Sequence, residues 1–336
     1  MSLTTYGDLA QFHMLRRDSA QLKSDLVRLT GELSSGKTAD IGRALGGDFS
    51  TLADIARSLR LNASFSASVA EASIAAEGRQ SALGRIAAEL DGFAPQLLSV
   101  TGAGSWNDIQ LTLANGSERF DAAVDALNTR LAGRSLFSAD EPDATPLAGS
   151  EAILDELRLL VGTTTDAATA EADVRAWFMS PGGGYETMAW QGGAGAAPEV
   201  LLGEGRSAET GVTALDPAIR ESLIGLALVA LAEEEAAPLD ETEKRALVTG
   251  AAEQMQRGEG QLITLRAALG AEEARIEEAR VASQAARASL EIEYGRLVEA
   301  DPYRTATDLE TVNTRLESLY ILTARLSRLS LTEFIR

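Results

Sequence analysis

Two stretches far apart in the chain obey the same spacing rule. Phe12, Leu15, Ser19, Leu22, Leu26, Leu29 and Leu33 alternate in steps of three and four, and so do Leu309, Val312, Leu316, Leu319, Thr323, Leu326 and Ser330. That is the a/d pattern of a coiled-coil seam, with Arg, Lys, Asp and Glu set between the seam positions. Each stretch makes a helix roughly 30–35 Å long at about 1.5 Å per residue. A one-faced helix of that length is marginal alone in water, because its stability comes from packing the apolar stripe. Each stretch therefore needs a partner, and the simplest partner is the other. The pattern predicts an assembly protein, not an enzyme.

Composition narrows the choice. The 336 residues, 45% of them apolar, leave room for two or three domains with real cores. Aromatic residues make up only 5%, which suits long helical seams. A formal charge of −20 argues against nucleic acid, whose binding leaves a basic footprint. An acidic surface also discourages premature self-association. There is no Cys, so disulfides and thiolate metal sites are out of reach, and the single His13, beside Phe12, reads as a residue at the seam edge. No metal and no cofactor are expected. No basic segment followed by an apolar one marks a cleaved secretion signal. The longest apolar run, Leu223 to Ala232, is about half a membrane span and ends in Glu233-Glu234-Glu235. The chain reads as soluble, without a membrane partner, and any export would use a route that needs no cleaved signal.

Between the seams the rhythm continues with breaks. Ser34-Ser35-Gly36-Lys37-Thr38 interrupts the first helix, and Leu52, Ile55, Leu59, Asn62, Ser66, Val69, Ser73 and Ala76 resume the three-four spacing. Leu83, Ile86, Leu90, Phe93 and Leu97 carry it on to interruptions at Pro95 and Gly102-Ala103-Gly104. A short face of Trp106, Ile109 and Leu113 stops at Asn115-Gly116. Ser117 is then placed to cap a helix bearing Phe120, Val124, Leu127 and Leu131, with Gly133 as its stop. From Arg134, Pro and Gly recur at short intervals. Helical pieces fit 153–161 and 167–178, and short strands fit 185–190 and 199–202. Asp216-Pro217 opens another helix, and one long helix fits 241–299 before Asp301-Pro302 breaks it.

The expected fold is mainly α. Long antiparallel helices pair residues 1–40 with 301–336 as a terminal coiled coil. A long-helix bundle spans 41–133 and 239–300, and a smaller mixed α/β domain, 134–238, is inserted in the middle.

Gly31 to Thr38 also satisfies the phosphate-loop pattern G-x-x-x-x-G-K-[ST]. That motif needs a buried strand before it and a helix opening from it, whereas here a helical seam runs through Leu33. A nucleotide hydrolase using Lys37 and Thr38 is thus a distant second reading, and a coiled-coil scaffold a third. The acids Glu233, Glu234, Glu235, Asp240, Glu241 and Glu243 lack the spacing of a calcium loop and read as a solvated run at a helix boundary. Trp106, Trp177 and Trp190 are scattered and read as core or domain-interface anchors, not as a stacking platform.

Several stretches resemble a known family. Leu33-Ser34-Ser35-Gly36-Lys37 is similar to the Leu-Ser-Ser-Gly-Lys that follows the first helix in the flagellin-like axial proteins of the bacterial flagellum. Ala114-Asn115-Gly116-Ser117 resembles that family's break between helices. Leu127-Asn128, then Gly133-Arg134-Ser135-Leu136-Phe137-Ser138, resembles a stretch of its hook–filament junction members more than of the main flagellin. The resemblance implies a structural subunit that polymerises with copies of itself, a neighbouring hook-associated protein and flagellin. It also implies export through the flagellum's own apparatus, with an export chaperone. Minor flagellin is the close alternative. On this resemblance Ser34, Ser35, Gly36 and Lys37 form a loop between layers, and Asn128, Gly133, Arg134 and Phe137 a helix-end motif. The opening Ser2-Leu3-Thr4-Thr5 and Gly46-Gly47-Asp48 depart from the family pattern.

Overall fold

The structure, a computed structural model, describes residues 4–196, 199–208 and 211–334, with side chains, within those ranges, for residue 10 and for 13–325. Its contacts divide the chain into two units, 1–61 with 285–336, and 62–284.

In the first unit, helices α1 (Thr4–Ser35) and α11 (Pro302–Phe334) lie side by side. They run antiparallel. Leu15 and Ser19 share one small hollow with Leu319 and Thr323, while Gly36 meets Ala300 at the other end. The Lys23 ammonium sits 5.8 Å from the centre of the Tyr320 ring. A short helix α2 (Ile41–Ala44) follows α1, and its cap Asp40 accepts from the Arg43 amide at 3.0 Å. Pro302 starts α11 at the position where a missing N–H costs nothing. Asp301 accepts from the Tyr303 and Arg304 amides at 2.9 and 3.2 Å.

The second unit is built around a helix apolar on all sides. It comprises most of α3 (Ser50–Leu90), α4 (Phe93–Ala103), α5 (Trp106–Leu113), α6 (Gly116–Leu127), α7 (Ser150–Val161), α8 (Ala167–Met179), α9 (Pro217–Glu233) and most of α10 (Glu241–Val298). Two hairpins, β1 (Arg130–Leu131) with β2 (Arg134–Ser135) and β3 (Val200–Gly203) with β4 (Arg206–Ala208), are antiparallel. Every residue of α9 from Leu223 to Ala232 is buried, as a helix without a polar face has to be. Helices α5, α6, α7 and α8 all pack on it. Beside them α3 and α10 run antiparallel. Asn62 Nδ2 donates to the Ser283 carbonyl at 3.1 Å, and Gln80 Nε2 to that of Arg266 at 3.5 Å.

The mainly α fold matches the expectation, and its local detail departs from it in four places. The bundle expected over 41–133 and 239–300 and the insert expected over 134–238 share one core, because α9 belongs to the second in sequence and packs on α6 of the first. Tyr185–Ala189 form a π-helical turn instead of a strand, and Trp190 alone pairs, in an isolated antiparallel bridge with Leu147. Gly184 there lies so close to Trp177 that a Cβ would overlap the indole. Ser117 does not cap α6. Asn115, in the left-handed region at φ +76°, precedes the helix. Glu233 supplies the acceptors instead, taking the Asn115 and Ser117 amides at 2.9 and 2.8 Å. Gly133 ends no helix either. With Ala132 it forms the two-residue turn between β1 and β2, at φ +82° and +50°, the left-handed pair that such hairpins need.

Candidate assembly site

Along the α1–α11 seam burial follows the spacing rule with one change. Leu15, Leu22, Leu26, Leu309, Val312, Leu316 and Leu319 are half-buried, and Leu29 is buried. At the last turn of α1 the pattern steps by three, so Glu32 takes the inner place at 6% exposure and Leu33 is left 42% exposed. Buried Thr305 begins the seam on α11. The side chains of Phe12 and Leu326 lie outside the described residues. Two helices cannot cover both flanks of an a/d stripe, which is why most of these leucines keep part of their surface. Met14, Val27, Ile321 and Leu322 are also exposed in this unit.

The seam is closed by a backbone clasp that uses the Ser34–Lys37 loop. Ser34 and Ser35 are still helical, and their hydroxyls donate to the Gly31 carbonyl at 3.0 and 2.7 Å. Gly36 turns the chain at φ +68°, where an L side chain is strained. Its carbonyl accepts from the Ala300 amide at 2.9 Å, while the Thr38 amide donates to the Val298 carbonyl at 2.9 Å. Lys37 and Glu299 are thereby paired as a two-residue antiparallel bridge. Glu32 fixes the turn from within: Oε1 accepts from the Ala39 amide at 2.9 Å and from Arg28 Nη1 at 3.1 Å.

This geometry leaves no phosphate cradle. Gly31 and both serines of the motif are spent inside a helix, and Lys37 follows the turn at its end, not a strand. The clasp residues Glu32, Val298 and Ala300, and Thr305 at the start of the α11 seam, stand outside the run of spaced leucines and carry no mark of their own in the sequence. Their signal was the break at Asp301-Pro302, whose partner across the seam had no visible mark. Replacing Glu32 with Ala should remove the carboxylate that accepts from the Ala39 amide, a net loss of about 1.5 kcal/mol, because that exposed amide can turn to water. Hydrogen exchange at Thr38 and Ala300 is expected to quicken about tenfold or more as the clasp opens locally.

The second motif serves the other unit. Asn128 forms a pair of hydrogen bonds with Leu147, accepting from its amide at 2.9 Å and donating to its carbonyl at 3.1 Å. Gly133 makes the hairpin turn, and Arg134 pairs with Glu71 of α3. Phe137 is fully buried, and its carbonyl accepts from the Ala214 amide at 3.1 Å. These residues stitch the hairpin onto the core and do not meet one another at a single site.

The acidic run lies at the boundary between α9 and α10 with four of its six members exposed, as expected, and its carboxylates also cap and pair. Arg158 grips Glu234 with two hydrogen bonds of 2.6 and 2.8 Å and holds its carboxyl below the usual range. Lys244, 2.8 Å away, does the same for Glu235. Asp240 caps α10 through the Glu243 amide at 2.9 Å, and Glu243 caps α8 through the Ala167 amide at 2.8 Å. Glu241 pairs with Arg245 at 3.2 Å. Trp106, Trp177 and Trp190 all pack against the core. Among the described residues no helix is long and apolar enough to cross a membrane.

Residues 254–335, which carry the carboxyl half of the clasp and of the seam, match the family model of the bacterial flagellin C-terminal helical region. That carboxyl-terminal stretch is flagellin-like. Solved structures share the fold of the chain at low identity. One is a protein of Vibrio parahaemolyticus assigned as a flagellar hook-associated protein, 13% identical, covering 73% of this chain and 95% of that one with a TM-score of 0.53. Another is FlgL of Bacillus cereus, also 13% identical, covering 72% of this chain and 100% of that one with a TM-score of 0.51. No curated protein sequence matches the chain.

Proposed function

We propose that this flagellin-like chain is a structural subunit of the bacterial flagellum at the hook–filament junction. It polymerises through α1 and α11 against copies of itself, a neighbouring hook-associated protein and flagellin, and it carries no catalytic site. The observation that supports this most is the half-buried seam. A leucine contributes about 1.5–3 kcal/mol when fully buried, so a stripe left half-covered holds back a large part of that for neighbouring helices. Ordering the backbone costs about 1–2 kcal/mol per residue, which the pair of helices offsets in full only when several faces pack at once. The fold shared with hook-associated proteins supports the placement at the junction.

Export runs through the flagellum's own apparatus with a chaperone shielding the exposed apolar residues of the seam. A fluorescently tagged chain is expected as one band at the distal end of the hook, and to be lost from the cell surface in strains that build no hook. Signal along the whole filament would make it a minor flagellin instead.

A further inference from the structure

Beside the β1–β2 hairpin lies a hollow of about 380 Å³, bordered by Ala72 and Ala75 of α3 and by Leu131, Leu136 and Pro142. Its volume falls within the range of about 300–1,000 Å³ typical of sites that take a ligand. The frame is firm: α3 approaches the hairpin at Gly78, where a Cβ would stand 3.0 Å from Leu136 Cδ1. Three charged side chains border the hollow. Glu71 and Arg134 pair with each other, which leaves Arg79 as the uncompensated one. Arg79 is only 9% exposed. Its Nε donates to the Leu136 carbonyl at 2.8 Å, yet Nη1 is enclosed without any acceptor among the described residues. Burial brings its pKa down to about 10, so the guanidinium keeps its charge at neutral pH. An enclosed cation with a carbonyl as acceptor for Nε and none for Nη1 is costly, and the cost is relieved when an anion arrives.

The hollow thus has the opposite sign to a chain of net charge −20. We infer that it receives an acidic side chain, flanked by apolar ones, from a neighbouring copy of this chain. Such a copy brings 50 acidic residues against 30 basic ones. It also brings exposed leucines, among them Leu111, Leu159 and Leu201. The inference rests on the proposed assembly and concerns a contact separate from the α1–α11 seam.

The absence of Cys from the chain makes the test clean. In the full-length chain, the thiol introduced by Ala75→Cys is expected to react with a maleimide while the chain is free and to be protected in assembled flagella. The thiol of Glu204→Cys, at the exposed β3–β4 turn, stays reactive in both. A photocrosslinker attached to the Ala75→Cys thiol should then give a product of twice the chain mass. Arg79→Met should fold with an unchanged or higher unfolding midpoint, yet assemble about tenfold more weakly, as loss of a buried anchor does. The inference is overturned by an unprotected thiol in assembled Ala75→Cys, by a crosslink from it to a different protein, or by normal assembly of Arg79→Met. Protection of the same thiol in the free chain by decanoate alone would also overturn it, by assigning the hollow to a small carboxylate. If Arg79→Met assembles normally while removal of α11 abolishes assembly, the seam stands and this second contact falls.

Discussion

A chain lacking residues 306–336 keeps the unit spanning 62–284 folded and loses assembly altogether. The deletion removes nearly all of α11 and with it Leu309, Val312, Leu316 and Leu319, so every half-buried leucine of α1 loses its partner at once. No residue of the 62–284 unit is touched. Its core, centred on α9, should melt within a few degrees of the intact chain. Circular dichroism should show the helical signal reduced by the two terminal helices, because α1 alone is too one-sided to persist in water. Sedimentation of the truncated chain should find no polymer under conditions in which the intact chain forms one. Normal assembly of the truncation would overturn the proposed function.

The second large effect is expected at a glycine that no functional reading would single out. Gly225, in the middle of α9, faces Met255 of α10 so closely that a Cβ would stand 2.8 Å from the Met255 amide nitrogen and 2.9 Å from its Cα. The obstruction is backbone and cannot swing aside. One turn along, a Cβ on Gly258 of α10 would lie 2.7 Å from the Ser222 Cα. The two helices are notched into each other. Gly225→Val must push them apart along a fully buried face, a loss of about 3 kcal/mol or more. Against a total stability of about 5–15 kcal/mol this should appear as a lowered urea midpoint and poor yield. Gly270→Ala, with open space where its Cβ would go, provides the contrast. It should stabilise α10 by up to about 1 kcal/mol, since alanine is the better helix former.

Long periodic stretches were legible in the sequence because their spacing is itself the physical cause of the fold. The pattern from Leu15 to Leu29 and from Leu309 to Thr323 marks the buried side of each helix, and Pro217 and Pro302 mark where helices start. Contacts between segments distant in sequence were not legible. Nothing in the residues near Ser117 announces that its amide is capped by Glu233 on another helix. Gly184 looks like any loop glycine until Trp177 is placed against it. The middle of the chain reads as an insert because of its Pro and Gly, yet α9 draws it into the main core. Leu33 and Glu32 show the limit within a seam. The spacing favours the leucine, but the turn at Gly36 needs a carboxylate on the inside, and that local requirement wins.

The clasp between Gly36 and Ala300 also sets an order of events. It joins points separated by most of the polypeptide, so it cannot form until nearly the whole chain has emerged. Contacts of such long range are the slowest to establish. The end of the molecule that carries the leucine seam is therefore finished last, after the interior has settled.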